Sequence, residues 1–585
     1  MIRAVHFSAI SQAAFIEFPL FASEMDMHGY WEWSDSIIAG DWLGKDTWHP
    51  EFEWMAQLAS PEEWSRWWGD PRVFQQEPVY PYLIALGRTI GLSLTGIILL
   101  QLLLGALQPL ATFFLTRLVF REDGPALVSA LFAATYGPLL LNQGALLRDW
   151  TAPLLASIVL AMLLRAQASS RGGQWFWPGL VLGFTLMTYS TILLFLPAML
   201  LWLVWVSRNS LRQMSIRMGA ATAGLVIGFM PLLARNLYLG VSPFSISNRL
   251  PEGIVSGIAA DSNPLGMTIT QSLPGILEKS QGSAAIAAIE SVRTFDGDWL
   301  GFGSLMWEKF RGLVDPFEIP NNLSYLYGQE VSPIMTFMPD FGWLLPLGIL
   351  GVVLALKRGN AGSAHGLMLL FGASMLLALM INLVLGRYRL AISAFFFVYA
   401  GWAVWQIWSW VIARRFRQAA VPGVVLAGII VTQQIAIPVQ ALRESAFFML
   451  HPPSYFTASS IYMARGRPDQ AVAEWKRMQL RASKLHFESA ADAAVEQEQS
   501  VRLQWLFGAF ELGRKDLVDL NLAEIDRLFD LRRDSSMRDY AMGVTYFRIG
   551  RAAEARSRLQ RFLREYPQLK EAEQATAIIG MLDEP

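Results

Sequence analysis

Residues 93–120 read SLTGIILLQLLLGALQPLATFFLTRLVF, an apolar run whose single charge is Arg117. An α-helix needs about 20 apolar residues to cross the hydrocarbon core of a bilayer, so this run predicts a transmembrane helix. The alternating segments of about ten residues that are typical of a transmembrane β-barrel do not occur in the sequence. The sequence therefore predicts an all-α, polytopic membrane protein. Further apolar, nearly charge-free stretches lie at 126–141, 178–206, 218–234, 341–356, 366–385 and 389–412.

The composition agrees with this class. Of the 585 residues, 53% are hydrophobic and 16% are charged, whereas a soluble domain carries about 25% charged residues. The formal net charge of −1 argues against a generally basic nucleic-acid-binding protein, so no nucleic-acid partner is expected. The chain has no cysteine, which excludes disulfides and thiolate metal sites.

The basic residues predict how the chain is oriented. With the N-terminus in the cytoplasm, the cytoplasmic loops hold about 12 Arg and Lys residues and the short opposite loops about 3, as the positive-inside rule requires. The rule also favours two crossings within 178–206, because one crossing would separate the flanking arginine clusters. We expect about 11 spans, at 4–22, 93–116, 125–142, 150–164, 175–190, 191–206, 218–235, 341–356, 365–385, 389–412 and 421–438.

This topology places three large segments outside, namely 23–80, 236–340 and 439–585. The first external loop is rich in tryptophan, which is typical of amphipathic helices in the membrane interface. Residues 1–440 are therefore predicted to form a membrane domain with external loops 23–80 and 236–340.

Residues 455–585 are soluble and charged, and their small residues recur at a spacing typical of tetratricopeptide repeats. In such a repeat, small residues let two helices approach and a proline ends the second helix. A generic helical bundle is the alternative. Repeat modules bind peptides or proteins, so an acceptor recruited by this domain is an expected partner. The pattern consists of Gly543, Tyr546, Gly550, Ala555 and Pro567, with a partial copy at Tyr462, Gly466, Ala471 and Trp475 and a degenerate unit around Gly513.

Two carboxylates near the predicted outer membrane surface are candidates for chemistry. Asp26 follows the first span, and a carboxylate fixed there could act as a general base or simply cap a helix. Asp149 precedes another span, where an N-terminal acid with Pro153 in the first turn is also a common helix start. The segment 74–82 adds Glu77 and Tyr80 at a proline-stiffened helix entry.

Three arginines on the same side are candidate phosphate ligands. Arg387 and Arg389 flank Tyr388 between two apolar runs, and the guanidinium fork matches phosphate oxygens. Snorkelling to ordinary head groups explains them equally well. Arg235 closes another span and is open to the same two explanations, including a favourable interaction with the helix dipole.

The sequence contains no phosphate-binding P-loop, no GxGxxG after a strand, no HExxH and no GxSxG in a strand–helix context. Chemistry on a soluble nucleotide is therefore unsupported.

Taken in order, the motifs resemble the GT-C membrane glycosyltransferases of the protein O-mannosyltransferase and aminoarabinose-transferase superfamily, above all bacterial members with tetratricopeptide repeats. The likeness covers about residues 10–440. It rests on Asp26-x-x-x-Tyr30, Gly40-Asp41-Trp42-Leu43-Gly44, Pro78-Val79-Tyr80-Pro81-Tyr82, Leu147-Arg148-Asp149, Arg235-Asn236 with Gly240, Ser245-Ile246-Ser247-Asn248, Glu318-Ile319-Pro320-Asn321-Asn322 and Gly386-Arg387-Tyr388-Arg389-Leu390.

The resemblance implies transfer of a sugar from a polyprenyl-phosphate donor to an acceptor hydroxyl on the periplasmic face of the bacterial inner (plasma) membrane. It implies that Asp26 is the catalytic base and that Asp149 lines the same cavity. Arg387 with Arg389 would stabilise the leaving phosphate. Further substrate-binding candidates are Tyr388, Arg235, Glu77 and Tyr80. The implied partners are the lipid-linked sugar, membrane lipid and an acceptor protein or glycan. No cofactor is certain, and a divalent cation is left open.

The chain departs from the family pattern at several positions. It has Asp26-Met27 where the protein O-mannosyltransferases have Asp-Glu, with Glu24 upstream, and Glu77 where many relatives have a small residue. These differences leave open which sugar donor is used and whether Glu77 takes part in catalysis. Two other functions also stay open. One is a polysaccharide polymerase or ligase that uses a diphosphate-linked glycan, and the other is a non-catalytic scaffold that works through the repeats.

Overall fold

The computed structural model describes residues 1–22, 25–45, 69–264, 270–358, 362–433, 452–484, 515–531 and 536–583, together with single residues and pairs between these ranges. Within these residues the chain is helical, and the β-structure is one isolated bridge between Asn321 and Leu323. The prediction of an all-α polytopic fold is confirmed. The chain divides into two compact units, Met1–Arg443 and Glu444–Pro585.

Seven described helices are long and apolar enough to cross a membrane, and two bent helix pairs raise the number to nine. The bent pairs are Ile2–Ile10 with Ala14–Phe21, and Asp123–Thr135 with Gly137–Gln143. The chain is therefore a multi-pass membrane protein. The seven single spans are Leu94–Phe120, Thr151–Ala168, Ser190–Ser207, Leu211–Leu239, Pro333–Lys357, Ser363–Ile381 and Arg387–Ile412.

The remaining two predicted spans fall on shorter helices, Phe176–Leu186 and Phe416–Val431. Each predicted span thus contains helix where the structure describes it, whereas residues 434–438 of the predicted span 421–438 lie outside the described residues. The total of about 11 crossings stays a prediction. The other helices of the first unit are Asp26–Ile38, Val79–Thr89, Leu250–Ile258, Leu273–Ser280, Ala284–Arg293, Trp299–Val314 and Tyr325–Val331.

The apolar run 178–206 is broken at Met187–Tyr189, between the helix that ends at Leu186 and a 3-10 turn that begins at Ser190. The hydroxyls of Thr185 and Thr188 donate to the carbonyls four residues earlier, at 2.7 and 3.0 Å. Such side-chain bonds compete with the backbone ladder. The residues of the break are buried, and Tyr189 and Ser190 line a cavity at this end of the spans.

Close glycine packing joins the helices Phe176–Leu186 and Leu211–Leu239. A Cβ at Gly224 would lie 2.0 Å from the carbonyl oxygen of Phe176, and one at Gly183 would lie 2.3 Å from that of Leu225. Gly179 and Gly228 are equally tight against the opposite backbone. Two small-xxx-small motifs therefore face one another, which is how membrane helices gain van der Waals contact where lipid gives no hydrophobic drive.

In the second unit, helices pair as hairpins. Pro452–Ala464 pairs with Pro468–Lys484, and Arg538–Arg548 pairs with Ala552–Glu565. A Cβ at Gly543 would lie 2.6 Å from the Leu559 side chain. These contacts are the ones that the small-residue pattern predicts, although the type of repeat stays a prediction. The side chain of Trp475 lies outside the described residues, as do Glu24 and the tryptophan-rich segment 46–59.

Substitution Gly224→Ala should lower the stability of the membrane unit by about 1–3 kcal/mol, because the added methyl group forces the two backbones apart. The matched control is Gly219→Ala on the same helix, where a Cβ meets nothing within 4 Å and alanine is the better helix former. Thermal unfolding in detergent, followed by tryptophan fluorescence, measures the difference. Equal unfolding temperatures for both variants would contradict the packing argument.

Candidate active site

Asp26 is held by a residue almost 300 positions later in the chain. It is the first residue of the helix Asp26–Ile38, and its N–H donates to Asn322 Oδ1 at 3.0 Å. Asn322 Nδ2 donates in return to Asp26 Oδ2 at 2.7 Å. Asn322 has a φ of +53°, a left-handed conformation that asparagine tolerates well. The N-cap residue of this helix is Met25, and Asp26 lies in the first turn with its carboxylate bound to Asn322.

Arg387 brings the two predicted carboxylates together. Its Nη1 lies 2.5 Å from Asp26 Oδ2 and 3.5 Å from Asp149 Oδ2. The arginine side chain is only 10% exposed, so it does not snorkel to solvent. It lies in the 3-10 turn Arg387–Arg389, which opens the buried helix Leu390–Ile412. Its Nη2 also donates to the hydroxyl of Tyr388 at 3.3 Å.

A second buried ion pair joins Arg148 and Glu77. Glu77 Oε1 accepts hydrogen bonds from Ser190 N at 2.8 Å and Ser190 Oγ at 2.5 Å. Both oxygens of Glu77 are therefore engaged. The pair fastens the segment before the helix Val79–Thr89 to the break that follows Leu186.

These side chains surround a cavity of about 300 Å³ at one end of the spans. Arg249 contributes a further cation at its wall, 3.6 Å from Asp26 Oδ1 and 3.9 Å from Glu252. Asp149 contacts Arg387 but is not part of the wall itself. The polar wall includes Asp26, Glu77, Arg148, Arg249, Asn322 and Arg387.

The two acids have opposite protonation tendencies. Burial raises the pKa of Asp26, but Arg387, Arg249 and the bond from Asn322 outweigh it and hold that pKa well below its usual range. Burial raises the pKa of Asp149 above its usual range despite Arg387 and Arg148. Asp149 Oδ2 has no hydrogen-bond partner among the described residues. The same arginine therefore faces two carboxyl groups whose pKa values are shifted in opposite directions.

Arg389 lies elsewhere. It is fully buried, donates to the carbonyl oxygens of Gly312 at 2.6 Å and Phe317 at 3.0 Å, and lies 3.7 Å from Glu318. Burial raises the pKa of Glu318 to about 7. A 3-10 helix has three residues per turn, so the side chains of Arg387 and Arg389 point in different directions. Of the two, only Arg387 reaches the cavity. Arg389 is therefore not in the cavity wall, and its predicted contact with substrate stays a prediction.

Arg235 and Tyr80 are also absent from the cavity wall. Arg235 donates to the carbonyl oxygens of Leu43 and Gly44, both at 2.8 Å, and thereby fixes the loop after Asp41. The Tyr80 hydroxyl donates to Gln101 at 2.5 Å. Arg235 thus holds a loop backbone in place, and Tyr80 joins two helices.

Sequence reasoning missed Arg249 and Gln76 as site residues. Gln76 Nε2 lies 3.5 Å from Asp26 Oδ1, and Gln76 also accepts a hydrogen bond from Tyr30. The available signal was their position: Arg249 directly follows the motif that ends at Asn248, and Gln76 directly precedes Glu77. Asn322 lies within a quoted motif, but its role was not predicted.

No group of three or more His, Cys, Asp or Glu side chains suited to a metal ion occurs among the residues that the structure describes. The cavity acids are instead paired with arginines.

Residues 75–234 match the family model described as dolichyl-phosphate-mannose-protein mannosyltransferase. The match includes Glu77, Arg148 and Asp149, and it ends before Arg387. A search of curated proteins finds no match to the chain. The family match, with the multi-pass helical fold, supports a membrane glycosyltransferase of the GT-C type.

The role of Arg389 is testable by a double-mutant cycle. Arg389→Met should destabilise the protein by about 3–5 kcal/mol, since it removes one partner of a buried charged pair. Adding Glu318→Gln should restore part of the loss, because the unpaired carboxylate is then neutral. Thermal unfolding of the four proteins at a pH above 7 measures the coupling. Strictly additive effects would show that Arg389 does not act through Glu318.

Proposed function

We propose that this protein transfers a sugar from a polyprenyl-phosphate donor to an acceptor hydroxyl, with Asp26 as the general base. The observation that carries the proposal is the contact of the Arg387 guanidinium with the Asp26 carboxylate in the wall of one cavity at the membrane end. A base and a phosphate-binding cation are the two groups that this transfer requires.

Arg387 is the proposed ligand of the donor phosphate. The guanidinium fork matches phosphate oxygens, and charge-assisted bonds strengthen as negative charge develops on a leaving group. Arg249, at the wall 3.6 Å from Asp26, is the second proposed phosphate contact. A phosphate that binds Arg387 competes with Asp26 for the same cation.

In the reaction, the acceptor oxygen forms a bond to the anomeric carbon while its proton passes to Asp26. The bond between the anomeric carbon and the phosphate oxygen breaks, and the phosphate leaves with the electron pair. When Arg387 binds the phosphate instead of Asp26, the proton affinity of Asp26 rises. Donor binding therefore converts a weak, permanently ionised carboxylate into a stronger base.

Asp149 and Glu77 are proposed to position arginines. Asp149 lies 3.5 Å from the same Arg387 nitrogen that contacts Asp26, and is proposed to hold the guanidinium in place. Glu77 binds Arg148 with one oxygen and Ser190 with the other, which suits a positioning role.

The cavity size favours a single sugar phosphate. A volume of about 300 Å³ is at the lower end of small-ligand pockets, which range over about 300–1,000 Å³. A diphosphate-linked oligosaccharide calls for a larger space. Because the positive-inside rule places this end of the spans outside, we assign the reaction to the periplasmic face of a bacterial plasma membrane.

Asp26→Asn should reduce transfer by about 10²–10⁴-fold, the usual contribution of a general base. Purified protein would be incubated with a panel of polyprenyl-phosphate sugars, and release of free lipid phosphate would be followed. Asp35→Asn is the matched control, since Asp35 lies on the same helix, is half-exposed and pairs with Arg88 away from the cavity.

Full activity of Asp26→Asn would exclude the base assignment. No release by folded wild-type protein from any monophosphate donor would overturn the proposal, and release from a diphosphate-linked glycan would then identify the polymerase or ligase alternative. No reaction with either class would favour the scaffold.

The pH profile tests the exchange of Arg387 between Asp26 and phosphate. Because kcat/KM reports groups in the free enzyme and kcat those in the donor complex, the acid limb of kcat should lie at higher pH than that of kcat/KM. The acid limb moves in this direction because Arg387 lowers the pKa of Asp26 in the free enzyme and binds the phosphate instead in the donor complex. Coincident limbs would show that donor binding leaves the ion pair intact.

The C-terminal repeats are proposed to recruit the acceptor. Deleting residues 455–585 should raise KM for the acceptor and leave donor binding unchanged, because the cavity residues all belong to the first unit. Binding of a fluorescent donor lipid, measured beside transfer, separates the two effects. Loss of donor binding in a folded truncated protein would contradict this role.

A further inference from the structure

A second cavity, of about 550 Å³, lies between three spans and is not explained by the proposed reaction. It is formed where the helices Leu107–Phe120 and Thr151–Ala168 end and where Ser363–Ile381 begins. Its wall combines three arginines with apolar side chains. The wall includes Phe114, Arg117, Leu118, Arg121, Leu164 and Arg165.

This arginine pocket and the catalytic cavity lie at opposite ends of the same helices. Thr151–Ala168 begins just after Asp149 and ends at the pocket, and Ser363–Ile381 runs from the pocket to Asn382 in the catalytic cavity wall. At a rise of 1.5 Å per residue, these helices are roughly 27–29 Å long. This length is close to the hydrocarbon thickness of about 30 Å, so the pocket belongs to the opposite membrane surface.

The pocket has an excess of positive charge. Arg117 is paired with Asp123 at 2.8 Å, whereas Arg121 and Arg165 form no ion pair with the carboxylates that the structure describes. Arg165 lies over the Phe114 ring, 5.7 Å from its centroid. Nearby Glu122 is engaged by Arg358 at 3.2 Å. Two guanidinium groups therefore remain for an anion.

The apolar wall continues towards the membrane interior. Leu107, Leu110 and Phe114 lie on one face of the helix Leu107–Phe120, spaced three and four residues apart, and their side chains are exposed. Such a stripe below an arginine cluster suits acyl chains below a charged head group. A soluble anion has no apolar part that would contact this stripe.

We propose that the arginine pocket binds the phosphate head group of an anionic glycerophospholipid in the leaflet opposite the catalytic cavity. Arg121 and Arg165 contact the phosphate, since a basic pocket between spans is the usual protein partner of such head groups. The acyl chains follow the stripe Leu107, Leu110 and Phe114. The assignment does not depend on the proposed transfer reaction.

Native mass spectrometry of the full chain tests the site, with phosphatidylglycerol and phosphatidylcholine titrated separately. Arg121→Gln/Arg165→Gln should weaken phosphatidylglycerol binding about tenfold or more, the loss expected for charge-assisted bonds. Phosphatidylcholine carries the same phosphate but no net charge, so it should lose less affinity than phosphatidylglycerol. The control Arg208→Gln/Arg212→Gln removes two exposed arginines at the same membrane surface, beyond the end of Ser190–Ser207. It should bind phosphatidylglycerol as wild type does.

An equal loss in both double variants would overturn the proposal in favour of general surface attraction. Displacement of the lipid by inorganic phosphate as effectively as by soluble short-chain phosphatidylglycerol would show that the pocket takes a free anion. If the pocket double variant is not monodisperse, the single change Arg165→Glu applies the same test. Wild-type-like phosphatidylglycerol binding by that variant would also exclude the site.

Discussion

The guanidinium of Arg387, enclosed between Asp26 and Asp149, is the interaction on which the rest of this site depends. Taking a charge out of water costs several kcal/mol unless partners compensate it, and removal of one partner leaves the others uncompensated. The three residues come from the ends of three different helices. The cluster is therefore stable only when the packing of the membrane unit holds those helix ends together. The positions of the three helix ends are the constraint that the fold has to meet.

Much of that constraint is carried by contacts that involve backbone. Glycines 179, 183, 224 and 228 bring two helices to backbone contact, and Arg389 binds the carbonyl oxygens of the chain that leads to Asn322. Arg235 does the same for the loop at Leu43 and Gly44. Several motif residues that look chemical thus act by holding backbone where chemical residues are needed.

This division explains what the sequence could predict. The spans were predictable because an apolar run of sufficient length has few alternatives. Local sequence left Asp26, Asp149 and Arg387 ambiguous, and only their order within a family-like series suggested that they meet. Arg387 and Arg389 could not be separated, since their different directions arise from a 3-10 turn. Arg249 and Gln76 lie in irregular segments, where no periodicity indicates which way a polar side chain faces.

The reciprocal hydrogen bonds of Asp26 and Asn322 have a consequence for the synthesis of the protein. Their partners are 296 residues apart. At a synthesis rate of about 5–20 residues per second, the first waits roughly 15–60 seconds for the second. During that interval Asp26 lacks its Asn322 partner, and Arg387 is synthesised later still. Asp26 and Arg387, the proposed base and its cation, therefore cannot meet in a nascent chain that ends before residue 387.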